Sequence, residues 1–350
     1  MTADRSNFGR NPELLLSFII CSRNDGYDGN SLWRLQTALN YLGLQAATAS
    51  LQSSVEAVVC DWGSSVPLAD ALVLCPEALA VTRIVEVPRA LAEEHQMESP
   101  FAEVIANNTA IRRARGRYIG RIDQDTLVGR RFLDRFLRMV RDSSGNAGNS
   151  ASTSMFFIGR RHVPLVFSRR SFNMKVVNRF IGTYSQFLPK AGAHYRPWFD
   201  APVGIVILDR DLWKACRGYD ERLVYWGFME TDLGLRIQMQ GRVVDLEREI
   251  GCDFYHLDHT PISLTVTRRR KNERRYPKLF APNGPGWGLA EQSLEIRCVV
   301  PSSQALEVHD GSPNGVEHFA RDVAKDWARL SGISLARCIR GLFEGDRIEK

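Results

Sequence analysis

Short apolar segments of this chain end in polar and acidic residues, and segments with a helical spacing of apolar residues separate them. Apolar runs of strand length that alternate with helices predict βα units around a largely parallel sheet. In such sheets, ligands bind at the carboxyl ends of the strands. The polar residues that follow three of these runs therefore mark the predicted ligand-binding edge. The runs and the residues that follow them are Leu14–Cys21 with Ser22-Arg23-Asn24-Asp25-Gly26, Val55–Cys60 with Asp61, and Arg117–Ile122 with Asp123-Gln124-Asp125.

The Asp123-Gln124-Asp125 motif is the most informative of these strand ends. Two carboxylates that are one residue apart repel each other, and a divalent cation between them removes that cost. Mg²⁺ binds one or two carboxylates in proteins and completes its coordination with water and phosphate oxygens. The motif thus predicts a metal site for a phosphorylated ligand, and the alternative is a capping turn before the helix near Arg130.

A second acidic cluster lies in the C-terminal half, where Glu230 and Asp232 stand at the start of a predicted helix, Thr231–Gln240. Acidic side chains in a first helical turn gain about 0.3–1 kcal/mol each from the helix dipole, and this is the structural explanation for them. That explanation does not account for the Trp226-Gly227 dipeptide before the helix, nor for the Gly218-Tyr219-Asp220-Glu221 turn.

Together these motifs resemble family 2 of the nucleotide-sugar glycosyltransferases, a large inverting family with the GT-A fold. The resemblance covers roughly residues 14–290 and depends on five degenerate motifs that occur in the family's order. These are Ile19 to Asp25, Val58 to Ser64, Asn107-Asn108 through Ile119, Asp123-Gln124-Asp125, and Gly218-Tyr219-Asp220-Glu221 with Trp226-Gly227.

The resemblance implies an α/β fold of GT-A type, with a mostly parallel central sheet flanked by helices. It implies transfer of a sugar from a nucleotide-diphosphate sugar, a UDP-hexose, to a hydroxyl acceptor with inversion and with Mn²⁺ or Mg²⁺ as cofactor. The acceptor is a sugar, a lipid-linked molecule or a small molecule. The residues implied for the nucleotide-sugar are Ser22, Arg23, Asn24, Asp25, Asp61, Asn108, Arg112 and Asp123, and those for the metal are Asp123, Asp125 and His256.

For catalysis the resemblance implies Glu230 as the base, with Asp232 as the alternative base, and Trp226 and Gly227 as acceptor-binding residues. The family usually has Trp-Gly-Gly-Glu-Asp here, so Phe228, Met229 and Glu230 stand against its Gly, Glu and Asp. Glu230 is one methylene longer than the family's aspartate. This departure leaves open the alternative that the chain is a catalytically inactive relative of the family, which acts as a binding or scaffold subunit.

A sugar-nucleotide nucleotidyltransferase is a further alternative, because such enzymes share a similar sheet and also use acidic metal ligands. They need a Gly-rich basic phosphate loop after the first strand, and Ser22 to Gly26 is a poor version of one. His259 is a weaker metal-ligand candidate than His256.

The chain has 350 residues with 46 basic and 40 acidic side chains, a net charge of +6 and a pI of about 9.0. This surplus permits an anionic ligand or membrane surface without requiring either. The basic run Arg268 to Arg275 suits a lid over a diphosphate, a patch for an anionic surface, or a solvated face. No nucleic-acid-binding motif accompanies it, so we expect no nucleic-acid partner.

We expect a nucleotide-sugar-binding half at residues 1–142, an acceptor-binding and catalytic half at 143–300, and a C-terminal helical tail at 301–350. The longest apolar stretch near the N-terminus is much shorter than the ~20 residues that span a bilayer. We therefore expect a protein that is cytoplasmic or peripherally bound to the inner face of the membrane. The pattern leaves the oligomeric state open.

Overall fold

The structure is a computed structural model that describes residues 13–26, 29–143, 154–191, 205–259, 271–273, 278–301 and 325. Most of the predicted basic run, and all of the predicted helical tail except residues 301 and 325, lie outside the described residues. Short 3-10 helices occupy Gln52–Ser54 and Ser185–Phe187. No helix in the described ranges is long and apolar enough to cross a membrane.

The strands are β1 (Leu16–Ser22), β2 (Val55–Trp62), β3 (Thr82–Val87), β4 (Tyr118–Arg121), β5 (Thr126–Val128), β6 (Ser154–Ile158), β7 (Arg160–Val163), β8 (Lys190–Ala191), β9 (Ile205–Asp209), β10 (Arg242–Asp245), β11 (Phe254–Leu257) and β12 (Glu295–Arg297). The helices are α1 (Ser31–Thr48), α2 (Leu68–Ala71), α3 (Pro76–Leu79), α4 (Arg89–Gln96), α5 (Glu103–Arg113), α6 (Arg130–Ser143), α7 (Leu165–Arg170), α8 (Met174–Tyr184), α9 (Arg210–Cys216), α10 (Met229–Gln238) and α11 (Leu246–Ile250).

An eight-stranded sheet forms the centre of the molecule, in the order β10-β6-β9-β4-β1-β2-β3-β12. The pairings make six of its strands run in one direction, while β9 and β12 run in the other. Strands β6, β9 and β10 come from the C-terminal half, so both halves of the chain contribute to one sheet. The predicted fold class, an α/β fold with a mostly parallel central sheet flanked by helices, is confirmed.

Alternating side chains of β1 divide the core into two layers. Phe18 and Ile20 pack with apolar side chains of α1 and α6 on one face of the sheet. Ile19 packs with α5 and α10 on the other face. Because successive side chains of a strand point to opposite faces, a continuous apolar run is what a strand between two helical layers requires. The Leu14–Cys21 run therefore predicted the central strand.

The strand order reverses at β1, and this reversal places the candidate site. The chain passes from β1 to β2 and β3 on one side, then returns through α5 to β4 on the other side of β1. Ligands in open α/β sheets bind in the crevice outside such a reversal. Ser22 at the end of β1 donates a hydrogen bond from its hydroxyl to Oε1 of Gln124 at 2.5 Å, so the ends of β1 and β4 meet there.

A smaller sheet, with the order β5-β11-β7-β8, adjoins this crevice and was not predicted as a unit. Strand β5 begins directly after Asp125 and pairs with β11, which sets His256 opposite Thr126. Strand β7 pairs with the other edge of β11 and sets His162 beside His256. Two to four residues per strand are too few for the alternation of polar and apolar residues to be recognised in sequence.

Glu56, the second residue of β2, is a buried carboxylate that connects several segments around the central sheet. It accepts hydrogen bonds from the Ser17 hydroxyl at 2.6 Å, the Arg115 backbone at 2.7 Å and Nε of Arg83 at 2.9 Å. Burial alone would raise the pKa of Glu56, but these hydrogen bonds and the two guanidinium groups together lower that pKa below its ordinary value.

We expect Glu56→Ala to destabilise the fold by about 3–5 kcal/mol, because it leaves buried donors unpaired. Urea unfolding measures this change. A carboxyl with a lowered pKa in the folded state stabilises above its unfolded pKa and loses that contribution as the pH falls. The difference between wild type and variant should therefore shrink below the ordinary glutamate pKa of 4.5.

Glu93→Ala is the matched control, since Glu93 pairs with Arg89 on the exposed surface of α4. Exposed pairs contribute about 0–1 kcal/mol, so this variant should unfold nearly as wild type does. Equal destabilisation by the two variants would contradict the role given to Glu56.

Candidate functional site

The Asp123-Gln124-Asp125 motif forms a tight turn between the central sheet and the smaller sheet. The backbone N–H of Thr126 donates to the carbonyl of Asp123 at 3.0 Å, and the N–H of Leu257 donates to the carbonyl of Asp125 at 2.9 Å. The turn is therefore fixed both by its own hydrogen bond and by β11. It directs the two carboxylates to different neighbours.

Asp123 lies between two arginines. Nη2 of Arg121 is 2.7 Å from its Oδ1, and Nη1 of Arg160 contacts its Oδ2. Burial would raise the pKa of Asp123, but the two guanidinium groups lower it below its ordinary value. The carboxylate of Asp123 is thus held by two guanidinium groups, and its role as a metal ligand stays a prediction.

Asp125 lies with the buried Arg34, whose Nε is 3.8 Å from Oδ2 of this carboxylate, and with two histidines from the end of β11. Nδ1 of His256 is 2.9 Å from its Oδ1, and Nε2 of His259 is 3.4 Å from its Oδ2. One ligand atom from each of these three residues lies within 4.8 Å of the others. The structure thus brings Asp125 and His256 together, as a shared role at a metal requires, and adds His259.

This cluster fits a divalent cation. Asp125 and His256 are 4% and 8% exposed, and Oδ1 and Nδ1 have no well-aligned hydrogen-bond partner among the described residues. Buried polar atoms without partners are costly in a folded protein unless they have a ligand. Burial also lowers the pKa of His256, which favours the neutral imidazole that a metal ligand requires.

Two further residues stand behind His256. Its Nε2 is 3.8 Å from Oδ1 of Asp258, and the same carboxylate oxygen contacts Nδ1 of His162. Neither Asp258 nor His162 was predicted from the sequence as a site residue. Asp258 is only two residues from His256, which was a usable signal, whereas His162 becomes a neighbour only through the β7–β11 pairing.

Glu230 reaches the same crevice from the first turn of α10. Its Oε1 is 3.5 Å from Nη1 of Arg121, whose Nη2 lies 2.6 Å from Oε1 of Glu103 and 2.7 Å from Asp123. Burial raises the pKa of Glu230, Arg121 opposes that rise and Glu103 adds to it. One buried arginine therefore connects the predicted base with the predicted donor site.

The residue before α10 explains how the chain accommodates its altered motif. Phe228 has a φ of 67°, in the left-handed region that glycine adopts without cost. The resemblance sets Phe228 against a glycine, and Phe228 adopts a glycine-type backbone conformation in spite of its side chain. This conformation starts the helix so that Glu230 faces Arg121.

Asp232, the alternative base, has a different environment. It forms a buried ion pair with Arg236, with Nε 2.7 Å from Oδ2. Arg236 also donates to the backbone carbonyls of Cys216 at 3.1 Å and Gly218 at 2.9 Å. A carboxylate that is held in this network stabilises the α9–α10 connection, and these contacts favour a structural role over that of a base.

The predicted nucleotide loop after β1 is tied to the loop after β2. The backbone N–H of Asn24 donates to the Ser64 hydroxyl at 2.8 Å, and its side-chain amide donates to the carbonyl of Val66 at 3.2 Å. Arg23 and Asp25 form an ion pair at 2.7 Å, with both side chains partly exposed. These side chains line one border of the crevice.

Asp61 is buried in that second loop. Its Oδ1 accepts from Ser64 N–H at 3.2 Å and its Oδ2 accepts from Leu68 N–H at 2.8 Å, so it organises the turn that faces Asn24. Burial raises the pKa of Asp61. Its contact with a nucleotide base stays a prediction.

Asn108 and Arg112 lie on α5, and their side chains form hydrogen bonds with backbone groups of the protein. The Asn108 side chain exchanges hydrogen bonds with the backbone N–H and carbonyl of Tyr219 at 2.8 and 2.9 Å. Arg112 donates to the carbonyl of Trp287 at 2.7 Å, contacts that of Pro285, and stacks over the Trp287 ring. These contacts hold both side chains within the protein, and their expected nucleotide-binding role stays a prediction.

Trp226 is 44% exposed in the loop before α10. Buried Asn272 holds this loop, because its side-chain amide donates to the carbonyls of Tyr225 and Gly227, both at 2.7 Å. The ammonium of Lys271 lies 5.5 Å from the centre of the Trp226 ring. The predicted acceptor platform is therefore an exposed aromatic side chain on a firmly held loop.

Comparisons with known proteins give no sequence-level match: no protein-family model matches the chain, and no curated protein does. The chain is similar in structure to S. aureus TarS, with a TM-score of 0.40 and 12% identity over 70% of this chain and 37% of that one. TarS 1-349 in complex with UDP gives a TM-score of 0.42 and 12% identity over 70% and 60%. TarS 1-349 in complex with UDP-GlcNAc gives 0.39 and 14% over 71% and 59%. The chain thus matches less than two thirds of the length of each of these structures.

Proposed function

We propose that this protein is a metal-dependent glycosyltransferase that moves a sugar from a nucleotide-diphosphate sugar to a hydroxyl acceptor with inversion. The observation that carries the proposal is the position of Glu230. This buried carboxylate with a raised pKa contacts the arginine that also holds Asp123, at the reversal of strand order beside the Asp125–His256 cluster. A candidate base and a candidate metal site in one such crevice are what this reaction needs.

The donor side of the crevice comprises the loops after β1, β2 and β4. Ser22, Arg23, Asn24 and Asp25 would face the nucleotide, and a UDP-hexose is the donor that the family resemblance favours. Arg160 supports this assignment because its guanidinium lies at the Asp123 carboxylate, within reach of a bound phosphate. Arginine forms paired hydrogen bonds with phosphate oxygens.

Asp125 and His256 would hold the divalent cation. When bound, such a cation supplies a Lewis acid that neutralises the charge of the departing diphosphate. Asp125 offers a carboxylate oxygen and His256 a ring nitrogen, both buried and without an aligned hydrogen-bond partner in the described part of the chain. The smaller sheet fixes His256, so the two ligand atoms are already close together.

Glu230 would accept the proton of the acceptor hydroxyl as that oxygen attacks the anomeric carbon. Burial raises its pKa toward the pH at which a carboxylate is an effective base. Arg121 lies 3.5 Å from the carboxylate and opposes the rise of the Glu230 pKa. Trp226 offers an exposed ring against which the apolar face of an acceptor sugar would stack.

Donor hydrolysis tests the metal and donor sites without knowledge of the acceptor, because a glycosyltransferase slowly transfers its sugar to water. We expect one nucleotide-sugar in a broad panel to be hydrolysed in the presence of Mn²⁺, and Asp125→Ala to abolish that hydrolysis. Chromatography measures the amount of free nucleotide that hydrolysis of the donor releases.

Asp134→Ala is the control, since Asp134 is an exposed carboxylate on α6 that pairs with Arg138. It should leave hydrolysis unchanged. If no nucleotide-sugar is hydrolysed or bound, the enzyme proposal fails and the scaffold alternative takes its place. Release of pyrophosphate from a nucleoside triphosphate and a sugar phosphate would instead favour a nucleotidyltransferase.

Glu230→Gln separates the base from donor binding. General-base catalysis contributes about 10²–10⁴-fold, so hydrolysis should fall by at least about 10²-fold while the shift in melting temperature caused by the donor persists. In wild type the rate should rise with pH through a pKa above the ordinary glutamate value of 4.5, because only the ionised carboxylate acts as a base. An active Glu230→Gln variant with the wild-type pH profile would show that another group is the base.

A further inference from the structure

The positive charge of the chain is concentrated in one segment. Between Asp142 and Asp200 the sequence contains six arginines and two lysines but no aspartate or glutamate. The +8 of this segment exceeds the +6 of the whole chain, so the residues outside it sum to −2. The surplus of basic residues is therefore a local feature, and its position in the fold indicates what it contacts.

Much of this charge lies on the hairpin of α7 and α8. Val177 and Phe180, on the inner side of α8, pack with apolar side chains of α1 and β11. Lys175 and Arg179 are exposed on the outer side of α8. Residues four positions apart lie on the same face of a helix, so these two charges form one stripe that points away from the core.

The end of α7 extends this basic stripe. Arg169 and Arg170 are exposed and precede α8 by a short turn. Among the described residues, no carboxylate pairs with Arg169, Lys175 or Arg179. Elsewhere on the surface, exposed arginines such as Arg89 do have a carboxylate partner. The hairpin thus presents positive charge that the described part of the protein does not neutralise.

Hydrogen bonds hold the hairpin against α1 and beside the crevice. The side-chain amide of Asn30, just before α1, donates to the carbonyl of Ser168 at 2.6 Å and to the hydroxyl of Ser171 at 3.1 Å. Further along, the Gln45 amide donates to Oδ1 of Asn178 at 3.3 Å. Because α1 begins at the carboxyl end of β1, the turn between α7 and α8 lies at the crevice edge of the molecule.

An exposed aromatic side chain follows the basic stripe. Phe187, in the 3-10 helix directly after α8, is 63% exposed. Its backbone is held in place, because Nη1 of Arg161 donates to the carbonyl of Leu188 at 2.9 Å. Helices that bind at the surface of anionic membranes combine basic residues on a polar face with aromatic or leucine side chains that enter the lipid.

We propose that the α7–α8 hairpin docks the protein on an anionic phospholipid surface. Arg169, Lys175 and Arg179 would contact headgroup phosphates, with which arginine forms paired hydrogen bonds, and Phe187 would enter the headgroup layer. This inference goes beyond the proposed function and does not depend on it. A bilayer fits this surface because the charges are spread along the outer side of two helices and stand beside an exposed aromatic ring. Docking in this way sets the crevice next to the membrane.

Sedimentation with vesicles tests the docking surface. We expect the full chain to bind vesicles of equal parts phosphatidylcholine and phosphatidylglycerol, and to be released in about 1 M NaCl, where the screening length is about 3 Å. Each basic residue near an anionic bilayer contributes about 5-fold to the binding constant, so Lys175→Gln combined with Arg179→Gln should weaken binding by roughly 25-fold. Phe187→Ser should weaken it by at least about 5-fold, through the loss of buried apolar area.

Arg89→Gln combined with Lys214→Gln is the matched control. It removes the same charge from α4 and α9, which pack on the opposite face of the central sheet. Charges more than about 10 Å from the docked face are largely screened at 0.1 M salt, so vesicle binding should stay close to wild type. The melting temperature of each variant shows whether it has folded.

Absence of binding to the anionic vesicles, equal binding to pure phosphatidylcholine, or an equal loss in the control variant would overturn the proposal. So would binding of soluble polyphosphate as tight as that of vesicles in wild type and Phe187→Ser alike, since the surface would then belong to a soluble polyanion. Donor hydrolysis without vesicles should be the same in the Lys175→Gln, Arg179→Gln variant and in wild type. Hydrolysis without docking would contradict this inference alone, and docking without hydrolysis would contradict the proposed function alone.

Discussion

The turn between β4 and β5 is the constraint on which the candidate site depends. Four residues separate the end of the central-sheet strand β4 at Arg121 from the start of the smaller-sheet strand β5 at Thr126, so Asp123 and Asp125 stand where the two sheets meet. The central sheet brings Arg121 and the end of β1 to this point, and the smaller sheet brings His256. A shift of the turn would separate the carboxylates from both sets of partners.

Buried charge organises the crevice around that turn. Arg121 is 4% exposed and contacts carboxylates of Glu103, Asp123 and Glu230. A buried ion pair gives little net stability compared with apolar packing, while an unpaired buried charge costs several kcal/mol, about 3–5. Such a cluster therefore constrains geometry more than it stabilises the fold. Here it places the proposed base of α10 beside the strand that carries the proposed donor site.

The parts of the molecule that obey strong local rules were predictable from sequence. The runs at Leu14–Cys21 and Val55–Cys60 predicted β1 and β2 because a strand buried on both faces is apolar at most positions; buried Ser17 and Glu56 are the exceptions within these runs. The helix predicted at Thr231–Gln240 is present as α10, which begins two residues earlier.

The candidate site was only partly predictable, because its partners come from distant segments. Asp125 and His256 were identified by motif and position, and they do lie together. The contact of Arg160 with Asp123 could not be predicted, because the pairing of β7 with β11 brings Arg160 to this turn from a distant segment. Asn108 and Arg112 fit a family pattern, but in this fold the backbone of Tyr219 and the loop at Trp287 take up their side chains.

A measurement of nucleotide-sugar binding with and without metal is the most direct test of the proposed metal-dependent donor site. The melting temperature of the protein is measured with a panel of nucleotide-sugars, each in Mn²⁺ and again in excess chelator. We expect one nucleotide-sugar to raise the melting temperature in Mn²⁺ and to lose most of that effect in excess chelator. No stabilisation by any nucleotide-sugar, or equal stabilisation with and without metal, would contradict it.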